Sequence, residues 1–522
     1  MNILIYSPYS LDNNSTPVLL DEALEYLQTE GNKVLFVTCS GELKPCDSNY
    51  EQSSIRCKEC MFSTYLLTKK IKHQNIIFKR TKDYINKSSK NRANSLNFTY
   101  NSINEVKSLE FNGINIGNGV VSSYVSMTRN LSPAINKETR HFFDKSLQAS
   151  ALLTIATIQM IDEFKPDLVC LFNGRFGGLR PVLEVCLKQK IEISILECTF
   201  ATNREIQQKV KFTNALPHDI DKNTPTIENY WEEWENSNER ELVASEFYNN
   251  RRNAIVASDN VYIGNQISDL LPDDWDKSKR NFVIFNSSED EFFCVGESFD
   301  KYKLFNDQIE GIRYLAQNAS TDSSIHFYLR VHPNLSNIKF NYHTKLADIF
   351  NDLKNLTIIP SISPISTYKL IDNCEKIFVF GSTAGAEATY WGKPVILLGG
   401  AFYIHLDAAY YPANRNELNK LIFKQLLPKP KLGALKYALF IFGKRGTPFK
   451  YVNFNYKIIK LGKKTIFIPK CYEYKNSIIF YMFVLSFFRI ANIFSHAIFK
   501  LITMKKLMIE DSKFEKCNQQ EK

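Results

Sequence analysis

Ile325-His-Phe-Tyr-Leu-Arg-Val-His-Pro333 and Lys376-Ile-Phe-Val-Phe-Gly-Ser-Thr-Ala-Gly-Ala-Glu387 decide the reading of this chain. Each opens with a short apolar run that reads as a buried strand and closes in small or polar residues. The second runs into a helix and returns through Gly392-Lys-Pro394 to a further apolar run, Val395–Gly399. A strand–loop–helix–strand unit of this kind belongs to a parallel α/β sheet. Its helix entrance carries Ser382, Thr383 and Gly385, and the unpaired backbone N–H groups of a helix entrance favour an anion. Ligands of open α/β sheets bind beyond the carboxyl ends of the strands, where both motifs end. The inferred site holds a phosphorylated or nucleotide-linked ligand.

Working outward, the first half repeats the α/β pattern. Asn2–Tyr6 and Lys33–Cys39 read as strands around a helix over Pro17–Gln28, and residues 40–115 read as irregular. A long helix is expected over 140–163, followed by strands at Asp167–Asn173 and Glu192–Glu197 with a Gly-containing loop and helix between them. The tryptophans, prolines and charges of 217–280 read as a helical connector. A second series of strands begins at Phe282. The expected organisation is an α/β chain of two Rossmann-like domains facing a cleft: 1–216, a connector 217–280, then 281–430. A basic, amphipathic extension, 431–522, follows.

The charge points to that extension. The net charge is +10, yet residues 420–475 hold fourteen Lys or Arg against a single acidic residue, Glu473. Within residues 477–500, Ser486, Arg489, Asn492, His496 and Lys500 share one helical face, and the other face is rich in Phe and Ile. This reads as a helix lying in an anionic membrane interface. No nucleic-acid motif accompanies the charge. The start MNILIY reads as a strand and lacks the features of a signal peptide, so the expected location is cytoplasmic, peripheral to the inner membrane.

Several residues are candidates for chemistry. His332, fixed by Pro333 after Arg330, is placed to donate to a phosphate or leaving-group oxygen. Ser382 and Thr383 suit phosphate or simple capping. Glu387, a turn further on, is read as a ribose-binding carboxylate. Ser287 opens the acidic turn Ser287–Glu291, which faces the expected cleft. Asn173 and Arg175 end a first-domain strand and are assigned to the acceptor. Glu197 is the expected general base, with Asp12 and Asp290 as rivals. Cys39, Cys46, Cys57 and Cys60 fit a structural zinc site of four thiolates, or unliganded thiols. No other cofactor is expected.

Arg330–Pro333, Ser363–Leu370, Gly381–Glu387 and Gly392–Val395 together resemble bacterial surface-polysaccharide glycosyltransferases of GT-B type, most of all capsule-synthesis proteins related to Kdo transferases. Asn286–Phe292 resembles an opening loop of such proteins. Bacterial sialyl- and polysialyltransferases share the His-Pro and Ser-Ser/Thr motifs. The resemblance implies that His332, Ser382 and Thr383 contact the phosphate of a nucleotide-sugar donor, with a CMP-sugar the first expectation, and that the acceptor is a glycan or lipid-linked glycan. Retaining GT-B enzymes often carry two glutamates separated by seven residues. Here the matching position beyond Glu387 is Val395, which favours inversion. A CDP-alditol-type phosphotransferase and a non-catalytic scaffold of a polysaccharide assembly complex are the alternatives.

Overall fold

The computed structural model describes residues 1–9, 15–49, 52–71, 73–200, 206–234, 236–255, 263–335, 346–442, 446–455, 458–461 and 464–467. The first domain contains strands β1 (Asn2–Ser7), β2 (Lys33–Thr38), β3 (Ile76–Arg80), β4 (Leu168–Phe172), β5 (Glu192–Phe200) and β6 (Ile206–Thr213). They lie in the order β6-β5-β4-β1-β2-β3. All pairings are parallel except β6 on β5. Helices α1 (Ser15–Tyr26), α2 (Ser54–Lys70), α3 (Gly117–Thr128), α4 (Lys137–Phe164) and α5 (Arg180–Gln189) accompany this sheet. The central strands are buried along nearly their whole length, as strands covered by helices on both faces must be. The side chain of Asn136 accepts the N–H groups of Glu138 and Thr139 at 3.0 Å and starts α4, which ends at a left-handed Lys165 before Pro166.

Two connector helices follow, α6 (Ile220–Glu232) and α7 (Ser237–Arg252). The second domain is wholly parallel: β7 (Arg280–Phe285), β8 (Ile325–Arg330), β9 (Leu356–Ile359), β10 (Lys376–Val379) and β11 (Val395–Leu397), in the order β9-β8-β7-β10-β11. The helices that bear on the site there are α8 (Gln308–Ala319), α9 (Thr367–Asn373) and α10 (Thr383–Tyr390). Both sheets wind the same way. The first strand is central, the next two lie on one side, and the following two lie on the other. The expected pair of Rossmann-like domains is therefore present, in a GT-B-like α/β arrangement.

The expected boundary at 431 is corrected. Helix α11 (Lys431–Phe442) packs on α7, α6 and α10, because its apolar residues Ala434, Tyr437, Ala438, Leu439 and Phe440 are buried. The chain then returns to the first domain, where β12 (Thr447–Pro448) pairs antiparallel with β6. Three lysines of the basic stretch face acidic partners of the body: Lys429 with Asp407, Lys436 with Glu228 and Lys450 with Glu25. The amphipathic segment 477–500 lies outside the described residues. Residues 40–115, read as irregular, contain α2 and β3, and the reading missed β6 altogether. No apolar stripe marks α2, and the β6 sequence, Ile-Gln-Gln-Lys-Val-Lys-Phe-Thr, is mostly polar.

The return is fixed by charge. Lys209 of β6 is fully buried, and its Nζ lies 2.8 Å from Asp21, 2.9 Å from Glu22 and 2.7 Å from Glu25 on α1. Asp21 also accepts the backbone N–H groups of Lys450, Tyr451 and Val452, at 3.1, 2.7 and 2.8 Å. Burial alone would raise the Glu25 carboxyl, but hydrogen bonds from Lys209 and Lys450 bring it down to about 2. A depressed carboxyl stabilises the fold above its unfolded value and loses that contribution as the pH falls through its folded value. The Glu25 contribution should thus fade between about pH 4.5 and 2. Removing one partner of a buried ion group typically costs about 3–5 kcal/mol, because uncompensated charge is left behind. Lys209→Ala should lower stability by that order, read as a drop in the urea midpoint. An unchanged midpoint would show that the cluster is not structural.

Candidate functional site

The register of the second sheet brings the motifs together. Phe285 of β7 is paired with Arg330 of β8 on one side and Val379 of β10 on the other. Two residues beyond these, Ser287, His332 and Gly381 fall in one row at the carboxyl edge. Strand order reverses between β7 and β10, so the row spans the sheet's switch point, the usual place for a ligand. Side chains lock the row. The N–H of His332 donates to Asn286 Oδ1 at 2.7 Å, and the Ser287 hydroxyl donates to the Phe380 carbonyl at 3.0 Å. Gln308 of α8 donates to the Ser287 hydroxyl at 2.8 Å and accepts the Ser287 N–H at 3.0 Å. Ser287 therefore organises the row, with its hydroxyl already partnered.

The entrance of α10 is built for close approach. Gly381 has φ +97°, and a Cβ there would stand 2.5 Å from the Gly400 carbonyl. Ser382 is extended and caps the helix, its hydroxyl accepting the Ala384 N–H at 3.3 Å. Its carbonyl accepts the Tyr403 hydroxyl at 2.5 Å. Gly385 makes room for that tyrosine, since a Cβ would strike the Tyr403 hydroxyl. Ser382, Thr383 and the helix N-terminus are half-buried, and the first turn carries no carboxylate to oppose an anion. Pro333 starts a 3-10 turn over Pro333–Leu335, and His332 and Pro333 are half-buried beside the same edge.

Two donor-site assignments are corrected. Arg330 is 3% exposed, and its terminal nitrogens donate to the Pro360 and Ser363 carbonyls at 2.6 and 3.0 Å. Burial lowers its pKa to about 10. It shapes the loop after β9 instead of reaching a ligand. Glu387, expected at a ribose, is 5% exposed, and its carboxylate accepts Arg251 Nε at 2.9 Å and the Tyr368 hydroxyl at 2.5 Å. It joins α7 and α9 to α10. Because both oxygens are engaged, Glu387→Gln should cost about 1–3 kcal/mol of stability and leave nucleotide affinity unchanged. Weaker nucleotide binding at undiminished stability would reinstate the ribose role.

In the first domain, Asn173 is left-handed at φ +63°, and its amide donates to Glu197 Oε1 at 2.8 Å. The two thus meet across the exits of β4 and β5. Arg175 stacks on Phe176 at 4.8 Å and lies 3.4 Å from the Ser126 hydroxyl. Asp290, the rival base, is buried and clamps the domains. It pairs with Arg129 and accepts the Ser288 hydroxyl at 2.7 Å. Asp12 lies outside the described residues. Cys39, Cys46, Cys57 and Cys60 are half-buried, and none is in a disulfide. Among the described residues no three His, Cys, Asp or Glu side chains form a group that could hold a metal ion. Cys57 and Cys60 lie on α2, and Cys39 accepts the Gly41 N–H at 3.2 Å.

Sequence reading missed His218, which stacks on Phe402 with ring centroids 5.9 Å apart and meets Phe292 edge-on. Burial, then the nearby Arg175, lower its pKa to about 3, so it is neutral at ordinary pH. It sits between the domains as an aromatic spacer. Further ties include Lys107 to Asp300 at 2.9 Å and Arg180 to the Val295 carbonyl at 3.2 Å.

Fold and site together define a two-domain α/β protein with a capped helix entrance at a switch point. Residues 248–406 match the family model described as "Capsule polysaccharide biosynthesis protein". That segment contains every second-domain motif named above, and the capsule-synthesis resemblance is borne out there. No curated protein matches the chain. Among solved structures, the Thermosulfurimonas dismutans KpsC beta Kdo 2,4 transferase is 13% identical, covering 52% of this chain and 79% of that one, with a TM-score of 0.33. The beta Kdo 2,7 transferase of the same KpsC is 12% identical over 56% and 84%, with a TM-score of 0.30. A Staphylococcus aureus MnaA–UDP structure ("S. aureus MnaA-UDP co-structure") is 11% identical over 85% and 93%, with a TM-score of 0.24.

Proposed function

We propose that this protein is a glycosyltransferase of bacterial capsule or related surface-polysaccharide assembly. The observation that carries the reading is the row Ser287–His332–Gly381 across a switch point, beside a capped helix entrance and inside the capsule-family segment. In this reading the second domain holds a nucleotide-sugar with its phosphate at His332, Ser382 and Thr383. An acceptor hydroxyl attacks the anomeric carbon from the first-domain side. The bond from that carbon to the phosphate oxygen breaks, and its electron pair leaves with the nucleotide. His332 and the helix entrance stabilise the departing charge, often the largest single term in such catalysis. Direct displacement inverts the anomeric centre, in keeping with Val395 where a second carboxylate would stand.

Turnover should depend on the His332 side chain, and the backbone N–H that binds Asn286 is retained when that side chain is removed. His332→Ala should keep its thermal transition and lose about 10²–10³-fold in transfer. Near-normal turnover would remove His332 from the mechanism. Binding is tested by thermal shift against CMP, CDP, UDP and GDP. A nucleotide at about 100 times its Kd adds roughly 2.7 kcal/mol. A selective CMP shift supports the first expectation for the donor, whereas a CDP shift favours the alditol phosphotransferase. No shift with any nucleotide favours the scaffold.

No described helix is long and apolar enough to cross a membrane. The proposed location is the cytoplasmic face of the inner membrane, held peripherally through the segment beyond 468. Deleting residues 475–522 should abolish co-sedimentation with anionic vesicles. Unchanged sedimentation would assign membrane binding elsewhere.

A further inference from the structure

Withdrawing a carboxylate from water with no cation beside it is costly, so such a group calls for a reason. Asp47, half-buried, is one. In the first domain strand order reverses between β1 and β4, which makes this the switch point of that sheet. A recess opens there, lined by Tyr9 after β1, Gly177 and Gly178 after β4, Ser123 on α3, Ser150 on α4, and Asp47. Its free volume is about 20 Å³, room for a single hydroxyl or water.

The recess is assembled around the carboxylate. Asp47 Oδ2 accepts the Tyr9 hydroxyl and, at 2.9 Å, the Gly178 N–H. A Cβ at Gly178 would stand 2.9 Å from the same oxygen and strike the Tyr9 hydroxyl, so only glycine lets the backbone come this close. The Gly177 N–H donates to the Ser123 hydroxyl at 2.9 Å, and the Ser150 hydroxyl donates to the Gly177 carbonyl at 3.1 Å. Among the described residues no Lys, Arg or His pairs with Asp47. Burial raises its pKa, against hydrogen bonds from Ser123, Tyr9 and Gly178. The loop also reaches the other domain, since Arg180, two residues on, donates to the Val295 carbonyl.

An acceptor-only carboxylate framed by hydroxyls, with no cation for an anionic ligand, suits a neutral group that donates a proton. We propose that Asp47 is the catalytic base of transfer and that the recess seats the reacting hydroxyl of a glycosyl acceptor. This rests on the transferase reading above. Asp47 takes the hydroxyl proton as the acceptor oxygen bonds to the anomeric carbon. The bond to the phosphate oxygen breaks, its electrons leave with the nucleotide, and the proton passes later to solvent. Glu197 is less well placed, because β5 lies beyond β4 and away from the switch point, and its carboxylate already accepts the Asn173 amide.

Asp47→Asn keeps an oxygen for Tyr9 and Gly178, so it tests the proton and not the frame. The full chain is assayed for nucleotide release from CMP-, UDP- and GDP-sugars with a membrane glycolipid extract as acceptor, alongside thermal shift with the free nucleotides. Loss of a general base typically costs about 10²–10⁴-fold, so Asp47→Asn should fall by at least ~100-fold in turnover with its nucleotide shift intact. Wild-type activity should also decline on the acid side, and the residual activity of the variant should lack that limb. Turnover within about threefold of wild type overturns the role of Asp47 and leaves the transferase reading standing. Loss of the nucleotide shift together with turnover marks Asp47 as structural and overturns the role too. A wild-type protein that neither binds nucleotide nor transfers from any donor overturns the transferase reading, and this inference with it.

Discussion

Parallel strands covered on both faces leave little room for polar groups except at their ends. That constraint governs this molecule. Strand β7 is buried from Asn281 through Phe285, and polar residues begin at Asn286. Strand β1 is buried from Ile3 to Ser7, and the Asp47 recess begins immediately after it. Chemistry collects at the two carboxyl edges because elsewhere an unpaired polar atom would be lost from water without compensation.

The two edges are joined by contacts that are themselves polar and partly buried. Arg129 reaches Asp290, Lys107 reaches Asp300, and Arg180 reaches Val295. The 286–296 loop carries two of these three ties and also supplies Asn286, which positions His332. One stretch of chain thus touches both the first domain and the row at His332. Glu387 plays the matching role behind the sheet, joining α7, α9 and α10.

How much of this is legible in the sequence depends on how local the signal is. His332, Ser382 and Thr383 stand directly after apolar runs, and a capped helix start is visible in a few residues. The two-sheet organisation follows from the same local alternation. Asp47 gives no such signal, because its partners Tyr9, Ser123 and Gly178 come from distant parts of the chain and meet only in the fold. Glu387 and Arg330 mislead for the opposite reason. Their motif positions look ligand-facing, but their carboxylate and guanidinium are consumed by Arg251, Tyr368 and the carbonyls of 360 and 363. Lys209 carries no sequence signal of burial, and only the acidic face of α1 explains it.

The return of the chain to Asp21 has a mechanical consequence. The second domain is an insertion, since α7 leads into it and α11 leads out, and the two helices lie side by side with the Tyr248 hydroxyl donating to the Ala434 carbonyl at 2.6 Å. With entry and exit crossing together and the exit pinned by three backbone N–H groups, the domain has a paired attachment rather than a single tether. The second domain is thus joined to the first at two neighbouring chain crossings, so its attachment does not depend on either crossing alone.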